Sequence, residues 1–200
     1  KNLARLEKLG LTIPTWLVIP ENKLNSNLMN KEEIVFDSIF DSFSEVFGEN
    51  YESKTYAVRS SGMDEDGSEF SFAGQFETYL HVPFTDLKNR VIDCWSSSQS
   101  ERIKSYRLEN GLKENTGIAV IIQEMVEAEV AGVAFGINPT TGIPNSKVIN
   151  SVYGLGEGLV SGELNADTYS LVGNKVERQL VQKTHRFIHN TKQGGITKVE

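Results

Sequence analysis

The stretch Tyr56-Ala57-Val58-Arg59-Ser60-Ser61-Gly62 joins a short apolar segment to a cationic side chain, two hydroxyls and a glycine. Its first three residues are typical of a β-strand, so the sequence predicts that a strand carries Arg59 to its own end. A guanidinium beside backbone N–H groups that a ligand can approach closely suits phosphate binding. The same spacing also fits an ordinary surface loop with Arg59 in an ion pair, and these residues alone do not decide between the two.

The segment from Ser60 to Gly74 continues this stretch with glycines, acidic residues and interleaved phenylalanines. A loop of this length is uncommon unless it is functional or disordered, and the phenylalanines argue against disorder. Its acids would repel a bare phosphate. They fit a phosphate site if a cation accompanies the phosphate, or if they face solvent.

On either side of this segment the hydrophobic pattern predicts regular elements. Helices are expected over residues 3–9, 31–46, 85–98 and 100–110, and strands over 15–19, 56–58, 78–82, 118–122, 130–137, 147–152, 168–172 and 175–181. Residues 21–30 are polar and predict a surface connection, and residues 182–200 lack periodicity. A helix-rich first part and a strand-rich second part predict an α+β fold. We therefore expect one subdomain over 1–112 and a second over 113–200.

The composition and charge of the chain limit the kinds of partner and the cellular setting that we expect for it. The chain has 200 residues, with 20 Lys and Arg against 27 Asp and Glu, and a formal charge of −7. Nothing in that balance favours a nucleic-acid partner. One cysteine, Cys94, can form neither an internal disulfide nor a zinc site, which favours a reducing, cytoplasmic setting. We find no signal peptide and no apolar run long enough for a membrane span, so no membrane partner is expected.

Two further patterns are ambiguous. Gly154-Leu155-Gly156-Glu157-Gly158 resembles the start of a dinucleotide fingerprint, but Leu159 stands where its third glycine should be and a hairpin follows instead of a βαβ unit, so we reject that fold. A structural turn and a turn beside a ligand both remain open there. His185 and His189 are four residues apart, but no acid stands at ligand spacing, so solvated histidines are favoured and no metal ligand is assigned.

The segment Gln123-Glu124-Met125-Val126 follows an apolar strand. The end of a strand can offer backbone N–H and C=O groups to a purine edge, with a nearby carboxylate for a ribose hydroxyl. Alone this signal is weak, and an ordinary strand end is the favoured interpretation. Trp16 and Trp95 are interpreted as core residues.

Several collinear motifs together resemble one family. They are Asn2-Leu3-Ala4-Arg5-Leu6, Tyr56 to Ser61, Ser71-Phe72-Ala73-Gly74-Gln75-Phe76, Gln123 to Val126, Gly132-Val133-Ala134-Phe135, Asn138-Pro139-Thr140-Thr141-Gly142 and Gly154-Leu155-Gly156-Glu157. This order is similar to the nucleotide-binding domain of phosphoenolpyruvate synthase and pyruvate phosphate dikinase, which rifampin phosphotransferases share. The resemblance covers nearly the whole chain and does not single out one member.

The resemblance implies an ATP-grasp fold, here partial, in which two α+β subdomains hold ATP between them. Arg59 would contact the terminal phosphates as the catalytic residue, and Ser60 would belong to the nucleotide site. The loop with Gly74 and Thr78 would cover the phosphates. Gln123, Glu124, Met125 and Val126 would hold the adenine and the ribose.

The resemblance also implies an ATP- and Mg²⁺-dependent phosphotransferase. A phosphoryl group would pass from ATP to a histidine on another domain of the full-length protein, and then to pyruvate on an acceptor-binding domain. An antibiotic phosphotransferase of the rifampin type and a non-catalytic nucleotide-binding module are the alternatives. The family's nucleotide-binding lysine would precede Lys1 and its magnesium ligands would follow Glu200. We therefore expect the chain alone to be inactive.

Overall fold

The computed structural model describes residues 2–28, 36, 39–62, 77–109, 118–143 and 146–200. The chain divides into two compact units, Lys1–Met125 and Val126–Glu200. The subdomain boundary expected between residues 112 and 113 lies outside the described residues. The strand that follows it, Ile118–Glu124, pairs within the sheet of the first unit.

The first unit combines helices with one antiparallel sheet. Its helices are α1 (Asn2–Lys8), α2 (Glu21–Leu28), α3 (Phe43–Phe47), α4 (Leu87–Ser97) and α5 (Glu101–Glu109). Its strands are β1 (Trp16–Ile19), β2 (Thr55–Gly62), β3 (Thr78–Pro83) and β4 (Ile118–Glu124). They lie in the order β1-β4-β2-β3, so β4, the last strand in sequence, separates β1 from β2.

One face of this sheet forms the core of the first unit. Tyr56, Val58 and Ile122 point to this face and are 0% exposed. Helix α4 packs here through Leu87, Val91 and Cys94, and α3 through Phe43 and Phe47, all within the same buried cluster. Aromatic rings meet Phe43 edge to face, with centroid separations that include 5.8 Å to Tyr56 and 5.4 Å to Phe40.

The expectation of a surface connection over residues 21–30 was wrong for residues 21–28, which form helix α2. The carbonyl oxygen of Pro20 accepts hydrogen bonds from the N–H groups of Lys23 and Leu24, and these bonds close the first turn. Leu24 is only 2% exposed and belongs to the core. Leu24 thus anchors a helix whose composition is mostly polar. Much of the helix expected over 31–46 lies outside the described residues.

The second unit is built on a four-stranded antiparallel sheet in the order β5-β6-β7-β8. The strands are β5 (Val130–Phe135), β6 (Ser146–Tyr153), β7 (Asp167–Val172) and β8 (Lys175–Gln179), with the short helix α6 (Glu157–Val160) between β6 and β7. The predicted hairpin is present in β7 and β8, where Gly173 takes the positive φ of 58° that its turn requires. All the pairings in this sheet are antiparallel, which agrees with the rejection of a βαβ unit.

Residues 182–200, which lack a periodic pattern in the sequence, contain two strands that were not predicted. Strands β9 (Arg186–His189) and β10 (Ile196–Val199) form an antiparallel pair. Both are only four residues long, which is too short for an alternating pattern to stand out. Mixed helices and antiparallel sheets confirm the α+β class. No helix of the described residues has the length and apolar character needed to cross a membrane.

Candidate functional site

The strand register divides the side chains of the first sheet between two faces. Directly paired residues of antiparallel strands point to the same side, and successive residues alternate. Val58 pairs with Ile122 on the core face, whereas Arg59 pairs with Ile121 on the opposite face. We call this second side the Arg59 face, which contains Trp16, Val18, Ala57, Arg59, Thr78, Ile121 and Gln123.

Arg59 and Gln123 are 64 residues apart in sequence and meet on the Arg59 face. The Nη2 group of Arg59 donates a hydrogen bond to Oε1 of Gln123 at 3.0 Å. The Nε2 group of Gln123 donates to the carbonyl oxygen of Pro14 at 3.3 Å, which orients the amide. Since Gln123 is neutral, this bond positions the guanidinium without cancelling its positive charge.

Thr78 lies directly opposite Arg59 in the register of β2 and β3, and its side chain is exposed. The structure therefore brings Arg59, Thr78 and Gln123 to one face of one sheet. Gly74 lies outside the described residues, as does most of the glycine-rich segment, 63–76.

Two of the predicted site residues have side chains on the core face. Ser60 pairs with Val120 there and is half-buried. The carboxylate of Glu124 is held by Lys54, whose Nζ lies 3.0 Å from Oε1 and 3.1 Å from Oε2. Lys54 Nζ also donates to the carbonyl oxygen of Phe47 at 2.8 Å. The structure therefore engages the Glu124 carboxylate, the group considered for a ribose hydroxyl, in an ion pair on the core side.

The backbone at the end of β4 is tied to both neighbouring strands. The N–H of Glu124 donates to the carbonyl of Thr15 at 2.8 Å, and the N–H of Met125 donates to the carbonyl of Thr55 at 2.9 Å. Met125 is half-buried, whereas Val126 is 54% exposed and is the first residue of the second unit. The backbone direction at this strand end is thus set on both sides.

His81 contacts Thr55 near this strand end. From the sequence, His81 was assigned to a strand and given no further role. The register of β2 and β3 shifts between Tyr56 and Val58, and His81 has a φ of 51°, unusual for a residue other than glycine. Its side chain is fully buried, and Nδ1 lies 3.0 Å from the hydroxyl of Thr55. The carbonyl oxygen of Thr55 in turn accepts a hydrogen bond from the N–H of Met125. The bulge therefore positions Thr55, and through Thr55 the backbone of Met125.

The two tryptophans occupy different environments. Trp95 packs against the core cluster from α4, as expected. Trp16 pairs with Gln123, so its side chain lies on the Arg59 face and is half-buried there. The interpretation of Trp16 as a core residue was wrong, because β1 alternates and Leu17 and Ile19 take the core positions.

Packing explains two glycines of the 154–158 segment. A Cβ on Gly154, where φ is 73°, would stand 2.2 Å from the carbonyl oxygen of Phe187. A Cβ on Gly158 would stand 2.3 Å from the side chain of Leu164. Both contacts are shorter than real Cβ atoms allow, which supports the structural interpretation of this turn.

The two neighbouring histidines do not share a helical face. His185 precedes β9, and its Nδ1 lies 2.8 Å from the hydroxyl of Thr184. His189 ends β9, and its Nδ1 lies 3.3 Å from a carboxylate oxygen of Glu127.

Comparison with known protein families finds a match over nearly the whole chain. Residues 2–200 match the family described as pyruvate phosphate dikinase, AMP/ATP-binding domain. The chain belongs to this family. The match spans both units, and it confirms the resemblance that the motifs suggested.

Curated proteins that are similar to this chain have different names and activities. The prodigiosin synthesizing transferase PigC of Serratia marcescens is 43% identical over 70% of this chain, and the match covers 16% of that protein. A rifampicin phosphotransferase of Streptomyces sviceus is 35% identical over 84% of the chain, or 20% of its own length. A probable phosphoenolpyruvate synthase of Archaeoglobus fulgidus is 40% identical over 72% of the chain, or 19% of its own length. The chain thus spans a fifth or less of these relatives.

Proposed function

We propose that this chain is the ATP-binding domain of a phosphoenolpyruvate synthase-like enzyme with an ATP-grasp fold. It would bind Mg·ATP and donate a phosphoryl group to a histidine on another domain, from which the group passes to pyruvate. The observation that carries the proposal is the Arg59–Gln123 hydrogen bond. It brings a cation and the predicted purine-binding strand end, 64 residues apart in sequence, to one face of one sheet.

Arg59 is proposed to neutralise charge on the terminal phosphates. Its guanidinium stays protonated at all physiological pH values and presents N–H donors in a plane that matches phosphate oxygens. Phosphoryl transfer relies mainly on positioning and on electrostatic stabilisation of the phosphates, and the metal that accompanies ATP shares this task. Ser60, Thr78 and Gly74 are proposed to belong to the phosphate side of the site, near Arg59.

The strand end at 123–126 is proposed to hold the purine through its backbone. The N–H groups of Glu124 and Met125 are committed to Thr15 and Thr55. The donor proposed for a purine ring nitrogen is therefore the N–H of Val126, and the proposed acceptor for the exocyclic amine is the carbonyl of Glu124. Gln123 and Met125 would fix this segment on either side.

The phosphoryl acceptor is the part of the proposal for which a second candidate has specific support. A rifampicin phosphotransferase matches more of the chain than the phosphoenolpyruvate synthase relative does, 84% against 72%. An antibiotic phosphotransferase is therefore the second candidate. The step that phosphorylates the histidine would be of the same kind in both cases: a P–O bond of ATP breaks, a P–N bond to the histidine forms, and the remaining nucleotide, ADP or AMP, is the leaving group.

A labelling experiment on the full-length protein that contains this chain tests the proposal. The protein is incubated with Mg·ATP carrying ³²P at either the β or the γ position, and acid-labile, base-stable label on the protein is measured. Pyruvate or rifampicin is then added. We expect label on a histidine that pyruvate discharges into a small molecule.

The other outcomes of the labelling experiment would each favour a different alternative or refute the proposal. Discharge by rifampicin but not by pyruvate would replace the synthase with the antibiotic phosphotransferase. Calorimetric binding of Mg·ATP without any protein label would point to a non-catalytic nucleotide-binding module. Absence of both binding and label would refute the proposal as a whole.

A further inference from the structure

Trp16 is an aromatic side chain on the Arg59 face, where the neighbouring groups include the polar Gln123 and Arg59. The side chain is half-buried and extends from the face opposite the core. Tryptophan carries a large apolar ring that is stabilised by contact with another planar group. On a face that also carries an amide and a guanidinium, beside smaller apolar side chains, this ring is the group suited to stack on a ligand that contains a base.

Three successive residues, Pro14, Thr15 and Trp16, pair with the strand end that is predicted to bind the purine. The carbonyl of Pro14 accepts the Gln123 side-chain amide at 3.3 Å, and the carbonyl of Thr15 accepts the Glu124 N–H at 2.8 Å. Trp16 itself pairs with Gln123 in the register of β1 and β4. Directly opposed residues have Cβ atoms about 5 Å apart, so the indole begins beside the strand end that is proposed to hold the purine.

The distance from Trp16 to Arg59 also fits a nucleotide. The two residues stand two strands apart across the sheet and one side-chain repeat apart along it. With strand spacings of about 4.8 Å and a rise of about 3.4 Å per residue, their Cα atoms are about 12 Å apart. That is close to the separation between the base and the terminal phosphates of an extended nucleoside triphosphate.

We infer that Trp16 is a purine-stacking residue that contributes to selection of the base, while Arg59 contacts the phosphates. The inference rests on the proposed function and adds a specificity-determining residue to it. Stacking of a base on an aromatic side chain needs only the flat face of the ring. The hydrogen bonds of the strand end and the stacking on Trp16 therefore act on different surfaces of the same purine.

The test separates the base from the phosphates by using two probes on the full-length protein. ATP carries both parts, whereas inorganic tripolyphosphate carries phosphates alone. We expect Trp16→Leu to raise the KM for ATP about tenfold or more, with kcat within about threefold, and to leave the inhibition constant of tripolyphosphate unchanged. Trp16→Phe keeps a ring and should stay within about threefold of the unsubstituted protein. Trp95→Phe, on the core helix, is the matched control and should change neither constant.

The outcomes distinguish this inference from the proposed function. Unchanged binding of tripolyphosphate shows that a variant has folded, so a loss confined to ATP reports the base. Equal weakening of ATP and tripolyphosphate by Trp16→Leu, or no weakening of either, would overturn the stacking role and leave the proposed function in place. Failure of the unsubstituted protein to bind ATP would overturn both.

Discussion

The two faces of the β1-β4-β2-β3 sheet use the same strands for different purposes. On the core face, Val58 and Ile122 are fully buried beneath helices. On the Arg59 face, the very next residues along those strands, Arg59 and Gln123, form a polar pair. Because side chains alternate along a strand, one residue of β2 can stabilise the core while its neighbour lies on the opposite face of the sheet. Substitutions at adjacent positions should therefore have separable effects on stability and on ATP use.

The largest effect is expected from Arg59→Ala. Removal of a charged group that stabilises the transferring phosphoryl group should lower ATP-dependent phosphorylation of the full-length protein by about 10²-fold or more. The midpoint of thermal unfolding should change little, because Arg59 lies away from the core. Rates measured with labelled ATP and melting curves on the same preparations check both parts. Unchanged turnover would remove Arg59 from the site.

Val58→Ala is the matched substitution on the core face. Val58 is 0% exposed, so truncation should cost about 2 kcal/mol of unfolding free energy through lost apolar contact and a residual cavity. Denaturant titration measures this cost. At a temperature where the variant is fully folded, its KM for ATP should match that of the unsubstituted protein. A KM shift as large as that of a residue on the Arg59 face would break the proposed separation.

A smaller effect is expected at the Lys54–Glu124 pair, which lies on the core side of the strand end. The two side chains are 22% and 30% exposed, so Lys54→Met should cost about 1 kcal/mol or less of stability. Glu124→Gln retains the backbone and a neutral partner for Lys54, and its KM for ATP should stay within about threefold. A tenfold rise in that KM would show that the carboxylate itself contacts the nucleotide.

Most of the strands and the longer helices of this fold were predictable from the sequence, but the pairing between the strands was not. Short apolar runs identified β1, β4 and the β7–β8 hairpin, and the periodic pattern identified α4 and α5. Helix α2 was missed because its composition is mostly polar, although Leu24 is buried in the core. The β9–β10 pair was missed because its four-residue strands mix polar with apolar residues, whereas the equally short β1 is apolar throughout.

The candidate site was predictable as a set of residues but not as an arrangement. Local spacing left Arg59 undecided between a phosphate site and a surface ion pair, and the resemblance to a family favoured the phosphate site. Which face each side chain occupies depends on pairing between strands far apart in sequence, such as β1 with β4. That pairing assigned Trp16 to the Arg59 face and the Glu124 carboxylate to the core side. Local sequence does not encode either result.

The position of β4 has a consequence for how this chain is made. Strands β1 and β2 have no pairing with each other and are joined through β4, which is translated after the other three strands of the sheet. A nascent chain that has not yet reached Ile118 therefore carries two apolar strand edges that lack their intended neighbour. Contacts this distant in sequence form slowly, and uncovered edges favour aggregation. Synthesis of residues 118–124 is thus the event that allows the first unit to close, and protection by chaperones matters most just before it.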